Sequence, residues 1–399
     1  MASVEAIGAA VRRQLAATRQ RDIAAYHEHT SLPRPVPDVS PTSQNASYWY
    51  QQALSAAKVS LSQEDIIALG READDLERLG SRFKGRCVGT DLLLQATRSS
   101  YLDWGFTLRK PEPTDPAPIA PARFLAYCLV QAGAGRGDAL DWERASSAYL
   151  GSLRFGADLR TTNLLGTLVG IDVARIGLAG LGKWVTTIDS PNSVFLSRIE
   201  RGLAQLEGPV LSFGEAPRVE RLEVFSLIAG EAEQGALDPR SGVRFLLPWR
   251  AITAYRLYQA DRLLREAEAT ATTEDAQTRL RLAEDANRRA AQSWSPMLRA
   301  FGPSDWFRVR QNADELQDRY HVVQTAVQLE QWYIRNGEYP ETISVLGLAF
   351  DASRLRYESH AGRQGYRLEP LSAGRSVRAS ARLVLERQPR RARQAASES

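Results

Sequence analysis

Few side chains in this chain have both the type and the spacing to do chemistry. Gly177, Gly180, Gly182 and Lys183 fit the GxxxxGK spacing of a phosphate-binding loop. That chemistry needs a preceding strand, free backbone N–H groups around the phosphates and a Ser or Thr hydroxyl for Mg²⁺. Trp184 stands where the hydroxyl should be, and the upstream LLGTLVGIDVARI reads as amphipathic helix. These glycines are therefore expected to let helices pack closely or to end one. Gly133, Gly135 and Gly137 lack the dinucleotide spacing and a surrounding βαβ unit, so they are expected to join two helices, with Asp138 as a cap. His27, Glu28 and His29 place three metal-ligand types side by side, but only His321 and His360 remain to complete a site, and a solvated linker is the expected role. His321 shares a helical face with Leu316, Tyr320, Val323 and Val327, which points to a packing histidine rather than a general base.

Paired carboxylates could do acid/base work, and two clusters qualify by type: Asp74, Asp75 and Glu77, then Asp138, Asp141 and Glu143. Acidic residues on solvated helix faces are too common for spacing alone to assign them a reaction. Neither GxSxG nor HExxH occurs. The aromatic groups Tyr48-Trp49-Tyr50 and Trp332-Tyr333 sit among alanine and leucine in helical segments, where core packing is expected rather than base stacking. The sequence thus assigns no catalytic, cofactor-binding or metal-ligating residue, implies no cofactor, and leans away from an enzyme. Cys87 and Cys128 are the only cysteines and carry no CxxC spacing. They are expected as small buried hydrophobes, with a single disulfide left open if the chain is exported.

The elements that must position these residues are mostly helical. Two proline-rich stretches, LPRPVPDVSP and PEPTDPAPIAP (111–121), read as extended connectors. Between them, Ser62 is placed to cap a helix whose stripe is Ile66, Leu69, Ala73, Leu76 and Leu79. Helices are expected near 122–132, 138–156, 160–185, 192–206, 218–235 and 273–292. In the last of these, Asp275–Arg279, Glu284–Arg288 and Asp285–Arg289 form acidic-then-basic pairs four residues apart, with Ala276, Leu280, Ala283 and Ala290 on the buried side. Asn163 to Val185 is the most apolar stretch, but Asp172, Arg175 and Lys183 interrupt it, so no membrane span is expected. Near residue 350 the period changes. Arg354–Glu358 and Gly365–Glu369 are short strand candidates, and Val377, Ala379, Ala381, Leu383 and Leu385 alternate as a third.

The fold class is therefore mainly α: an irregular bundle or solenoid of antiparallel helices with a small C-terminal α+β module, a helix plus about three antiparallel strands. The expected organisation is an N-terminal helix and proline-rich linker (1–41), a helical body (42–310), the helix-plus-sheet module (311–387) and a disordered basic tail (388–399). The chain has 399 residues and a formal net charge of +4, too near balance to imply a nucleic-acid field. Of its 51 basic residues only Lys58, Lys84, Lys110 and Lys183 are lysine, a skew that looks like codon bias. Arg387, Arg390, Arg391 and Arg393 form one local basic cluster, suited at most to weak, salt-sensitive contact with anionic lipid or nucleic acid.

One segment carries a resemblance. QTAVQLEQWYIRNGEYPETISVLG, followed by LRYES and GYRLEP, resembles the tail of the major pseudopilin of type II secretion: a helix, an N-G-x-Y-P turn (Asn336, Gly337, Tyr339, Pro340), then short strands. With the proline segment and the aromatic-bearing helix after Asn45, the whole order resembles a set of bacterial envelope proteins. In those, a membrane anchor precedes a helical body and a pseudopilin-like tail. The chain departs from that pattern at Phe350-Asp351-Ala352-Ser353, where the family tail commonly has a D-P-F/W-G-like stretch, so no calcium-site role is carried over. Its pilin-like helix is internal and polar at Gln328, Glu330 and Gln331, so it is not expected to polymerise. The resemblance implies a non-enzymatic envelope scaffold or interaction protein on the extracytoplasmic side, natively anchored ahead of VEAIGAAVRRQLAATRQRD. Its partner would be another envelope protein or a second copy, with no specific nucleic acid, and with the membrane met only through that anchor. A cytoplasmic location, and a hydrolase or lipid-modifying enzyme with a site between helices, are the alternatives.

Overall fold

A computed structural model describes residues 42–71, 76–102, 104, 119–134, 141–160, 164–188, 192–213, 249–273, 275–293, 303–360, 362–371 and 383–389, with isolated residues at 13, 17, 20, 21, 217, 221 and 224. Among these the chain is mainly α-helical, with a small three-stranded antiparallel sheet at its C-terminal end. The helices are α1 (Ala46–Ser60), α2 (Gln63–Arg71), α3 (Leu76–Phe83), α4 (Thr90–Thr97), α5 (Ile119–Ala134), α6 (Asp141–Leu159), α7 (Leu164–Thr187), α8 (Ser193–Leu211), α9 (Trp249–Thr272), α10 (Ala276–Ala291) and α11 (Pro303–Asn336). A pair of short parallel strands, β1 (Thr42–Asn45) and β2 (Ser99–Tyr101), flanks the first four helices. The sequence showed neither, because each is too short to display alternation. The C-terminal sheet has the order β3 (Leu355–His360), β4 (Gly365–Pro370), β5 (Leu385–Arg387).

Helix α7 is the centre of the body. It packs against α5, α6 and α11, and its last turns meet β5. By length and composition, Leu165–Thr187 is long and apolar enough to cross a membrane, but most of it is buried inside the protein. Glycine makes this central position feasible. A Cβ on Gly156 of α6 would lie 2.7 Å from the Gly170 carbonyl oxygen of α7 and 3.0 Å from the Ala174 nitrogen, so backbone touches backbone. The P-loop-like glycines do the same work along α7. A Cβ at Gly177 would meet Ser152, one at Gly180 would meet Val130 and Tyr149, and one at Gly182 would meet Leu385 and Val323. Close packing, not phosphate binding, is what their spacing serves. Gly133 in the last turn of α5 is likewise pressed against the Tyr149 ring.

Several expectations need correction. The second proline-rich connector ends sooner than residue 121, because α5 begins at Ile119 and buries Pro121 in its first turn, where proline has no helical N–H to lose. Ser62 caps as expected, its hydroxyl accepting from the Asp65 N–H while the Asp65 carboxylate accepts from the Ser62 N–H. The helix it opens, however, is followed by a separate α3, and Ile66 faces outward. On α10 the buried stripe is Arg279, Ala283, Ala286 and Ala290, whereas Leu280 is exposed. Arg279 turns inward to Asp314 of α11 at 2.7 Å, and Asp275 is used as the α10 cap on the Thr278 N–H. The other expected pairs also re-partner: Arg288 meets Asp285, and Arg289 reaches Glu266 of α9 at 2.6 Å. For Arg279 and Arg289, tertiary partners on neighbouring helices replace weak surface pairs.

The cysteines are the largest correction. Instead of two separate thiols, Cys87 and Cys128 form a disulfide across a Cα–Cα distance of 5.4 Å, because α3 packs on α5 and delivers the chain after it to that helix. Asp65 reinforces the same corner by accepting from Arg82 at 2.8 Å and Arg86 at 2.7 Å. The hydrogen bond from Arg86, followed by backbone and Arg82 contacts, holds the Asp65 carboxyl far below the usual carboxylate range despite its burial.

His27, Glu28, His29, Asp74, Asp75, Asp138, Gly135 and Gly137, the proline segment up to residue 41 and nearly all of the expected helix 218–235 lie outside the described residues. So do the alternating positions before Leu383 and the tail from Arg390. Gly170→Ala should lower stability by about 1–3 kcal/mol, since overpacking against a backbone outweighs the gain in helix propensity. Gly70→Ala, which meets nothing within 4 Å, should be neutral or slightly stabilising. Paired urea titrations would show whether the two diverge.

Candidate functional site

Three helices line a concavity on the helical body. The end of α4 supplies Leu94, Thr97 and the following Arg98. Helix α6 supplies Ser146, Ser147, Leu150, Gly151 and Arg154, and α8 supplies Arg198, Arg201, Gly202, Gln205 and Leu206. The cavity is about 70 Å³. Gly151 and Gly202 let the walls converge at its base, where added Cβ atoms would strike Leu94 and Leu150. The floor is therefore leucine and the rim is arginine.

The four guanidinium groups have unequal partners. Arg154 is buried and lies 3.3 Å from Asp158, whose carboxylate also accepts from the Tyr50 hydroxyl. Arg198 reaches Glu143 at 3.1 Å, at the exposed end of the cleft. The exposed Arg201 uses its Nε only on the Ser197 carbonyl, and Arg98 is exposed at the end of α4. Neither Arg98 nor Arg201 has a carboxylate partner among the described residues. Every ionisable side chain lining the cleft is thus a guanidinium, which binds anions and stays charged at any ordinary pH. Spacing along the chain does not reveal this convergence, since the arginines come from three separate helices at ordinary spacings.

A second polar centre joins the sheet to the bundle. Glu330 of α11 is fully buried, accepts from the Tyr339 hydroxyl at 2.8 Å, and lies 3.8 Å from the Arg387 guanidinium. Arg387 also donates to the carbonyls of Thr186 and, at 2.6 Å, Ile188, and so satisfies the open end of α7. Arg387 was expected in the basic tail cluster. It is instead the last residue of β5, faces inward and is almost wholly buried. The Tyr366 ring packs edge-on against Tyr339, and burial pushes its hydroxyl well above the ordinary range for tyrosine. The Asn336–Pro340 turn serves this centre. Gly337 takes a left-handed φ of 76°, and Tyr339 then exchanges backbone and side-chain hydrogen bonds with Arg363.

His321 is buried, as expected of a packing residue, and stacks on Phe350 with centroids 3.9 Å apart. Its Nδ1 nonetheless has no hydrogen-bond partner among the described residues. Burial, then the nearby Arg354 charge, lowers its pKa from 6.5 to about 4. Tyr50 is buried between Trp104 and Phe155, as a core role predicts, but Tyr48 of the same cluster is exposed. His360 and the carboxylates Glu143 and Asp172 converge on no common site, and no group of three or more His, Cys, Asp or Glu among the described residues could hold a metal. The fold and cleft define a mainly α-helical protein with a small C-terminal sheet and an arginine-lined cleft. No protein-family model matches the chain, no curated protein matches it, and no solved structure matches it.

Two predictions follow from these centres. Glu330→Ala leaves Arg387 buried without its anion and should cost about 3–5 kcal/mol, and the Glu330→Met/Arg387→Met pair should recover part of that loss in urea unfolding. For His321, folded and unfolded chains are both neutral above pH 6.5. Below it the unfolded chain takes up a proton that the folded chain refuses until about pH 4, so stability falls across that window. His321→Leu should flatten the slope of stability against pH between 6.5 and 4 relative to the parent.

Proposed function

We propose that this chain is a non-enzymatic, envelope-associated scaffold or interaction protein that works on the extracytoplasmic side of a bacterial membrane. The Cys87–Cys128 disulfide carries the reading, because such bonds persist in oxidising compartments and are rare in the cytosol. It closes a 41-residue separation, long enough to stabilise the folded chain by about 3–4 kcal/mol on the chain-entropy account. The arginine cleft supports binding over catalysis, since its guanidinium groups can hold a partner's anions but cannot exchange protons near neutral pH. The pseudopilin-like order of helix, turn and strands belongs to this proposal too, as a fixed end-piece on the helical body.

The test is the redox state of the cysteines in cells. Intact cells would be treated with a maleimide reagent, with and without prior reduction, and the modified protein resolved by mass. Alkylation of Cys87 and Cys128 only after reduction is expected, together with recovery in the envelope fraction. Free thiols in rapidly quenched cells, with recovery in the cytosolic fraction, would overturn the proposal.

A further inference from the structure

The cleft between α4, α6 and α8 has a composition that selects a ligand class. We infer that it binds a small organic anion, a phosphate or carboxylate head carrying a short apolar group. Three observations carry this. Leu94, Leu150 and Leu206 line the floor, offering apolar surface that gains by leaving water. Arg98 and Arg201 are exposed and have no carboxylate partners among the described residues, whereas other described arginines commonly reach one, as Arg82, Arg123, Arg279 and Arg354 do. Ser147 and Gln205 add neutral donors to the same lining.

The pairing of features matters more than either alone. A bare arginine rim would attract any anion by screened surface attraction, and a bare leucine floor would take any small hydrophobe. Together they favour a molecule whose charged end meets two guanidinium forks while its apolar end sits on leucine, a geometry suited to bidentate contact with phosphate or carboxylate. Size narrows the class. About 70 Å³ corresponds to roughly five to seven ordered waters, enough for the head and a few carbons but too little to bury a long acyl chain. Arg154, already neutralised by Asp158, forms a fixed polar wall rather than the principal anion hook. The inference does not depend on the compartment in which the protein works.

Calorimetric titration of the full chain with hexyl phosphate, inorganic phosphate and hexanol tests it. Hexyl phosphate is expected to bind at least tenfold more tightly than either fragment. The Arg98→Gln/Arg201→Gln variant, altered only at exposed positions, should weaken that binding tenfold or more while leaving the unfolding midpoint unchanged. Ser147→Phe, which fills the cleft without touching its charge, should weaken it as well. Flotation with vesicles containing phosphatidic acid separates a free ligand from a lipid headgroup, and no flotation is expected. Absence of hexyl phosphate binding, equal affinity for inorganic phosphate, insensitivity to both variants, or flotation that depends on Arg98 and Arg201 would each overturn the inference.

Discussion

Everything in the helical body depends on how closely α7 can be approached. Gly156 and Gly170 bring the backbones of α6 and α7 into contact, and Gly177, Gly180 and Gly182 admit α6, α5 and the sheet on different sides of the C-terminal part of α7. A helix apolar on nearly every side needs apolar neighbours on nearly every side. The missing side chains make that possible without voids, since each glycine is filled from across the interface by a named group such as Tyr149, Val130 or Leu385. Once α7 is enclosed, α6 is fixed on one side of it, and the cleft that α6 forms with α4 and α8 takes its shape from that packing.

The polar centres then act as locks on an apolar frame. Asp65 with Arg82 and Arg86, Asp158 with Tyr50 and Arg154, and Glu330 with Tyr339 and Arg387 each join elements distant in sequence. Such groups gain little over apolar packing, but they tolerate few alternative arrangements and so favour one geometry. Gln331, and more distantly Gln328, reach Glu200 of α8 in the same spirit, which explains polar residues on a helix that otherwise looks like core.

How much of this was legible beforehand can be judged residue by residue. Helix periodicity located α5, α6, α7, α8 and α10 to within a few residues, since long amphipathic or apolar runs have one reading, but α11 begins at Pro303, well ahead of the helix expected from about residue 311. It read the α7 glycines as packing positions because Trp184 broke the nucleotide pattern. It misplaced Leu280 and Arg279, whose roles depend on Asp314 on another helix. It put Arg387 in a solvated tail, because only the open carbonyls at the end of α7 reveal why an arginine is wanted inside. The disulfide and the cleft share that difficulty. Cys87 with Cys128, and Arg98 with Arg201, are brought together by helix packing, and spacing along the chain does not encode their proximity.

Arg387 also bears on when the fold can be completed. The carbonyl of Thr186 waits for a donor 201 residues further along, so the open end of the central helix stays unsatisfied until Arg387 has been synthesised. Contacts of such separation slow folding, because a long loop must close before they give anything back. Helices α5 to α8 can pair through contacts closer in sequence, whereas the last strand decides when α7 is finally sealed. A chain truncated before β5 would keep most of its helices while leaving its core open at one end.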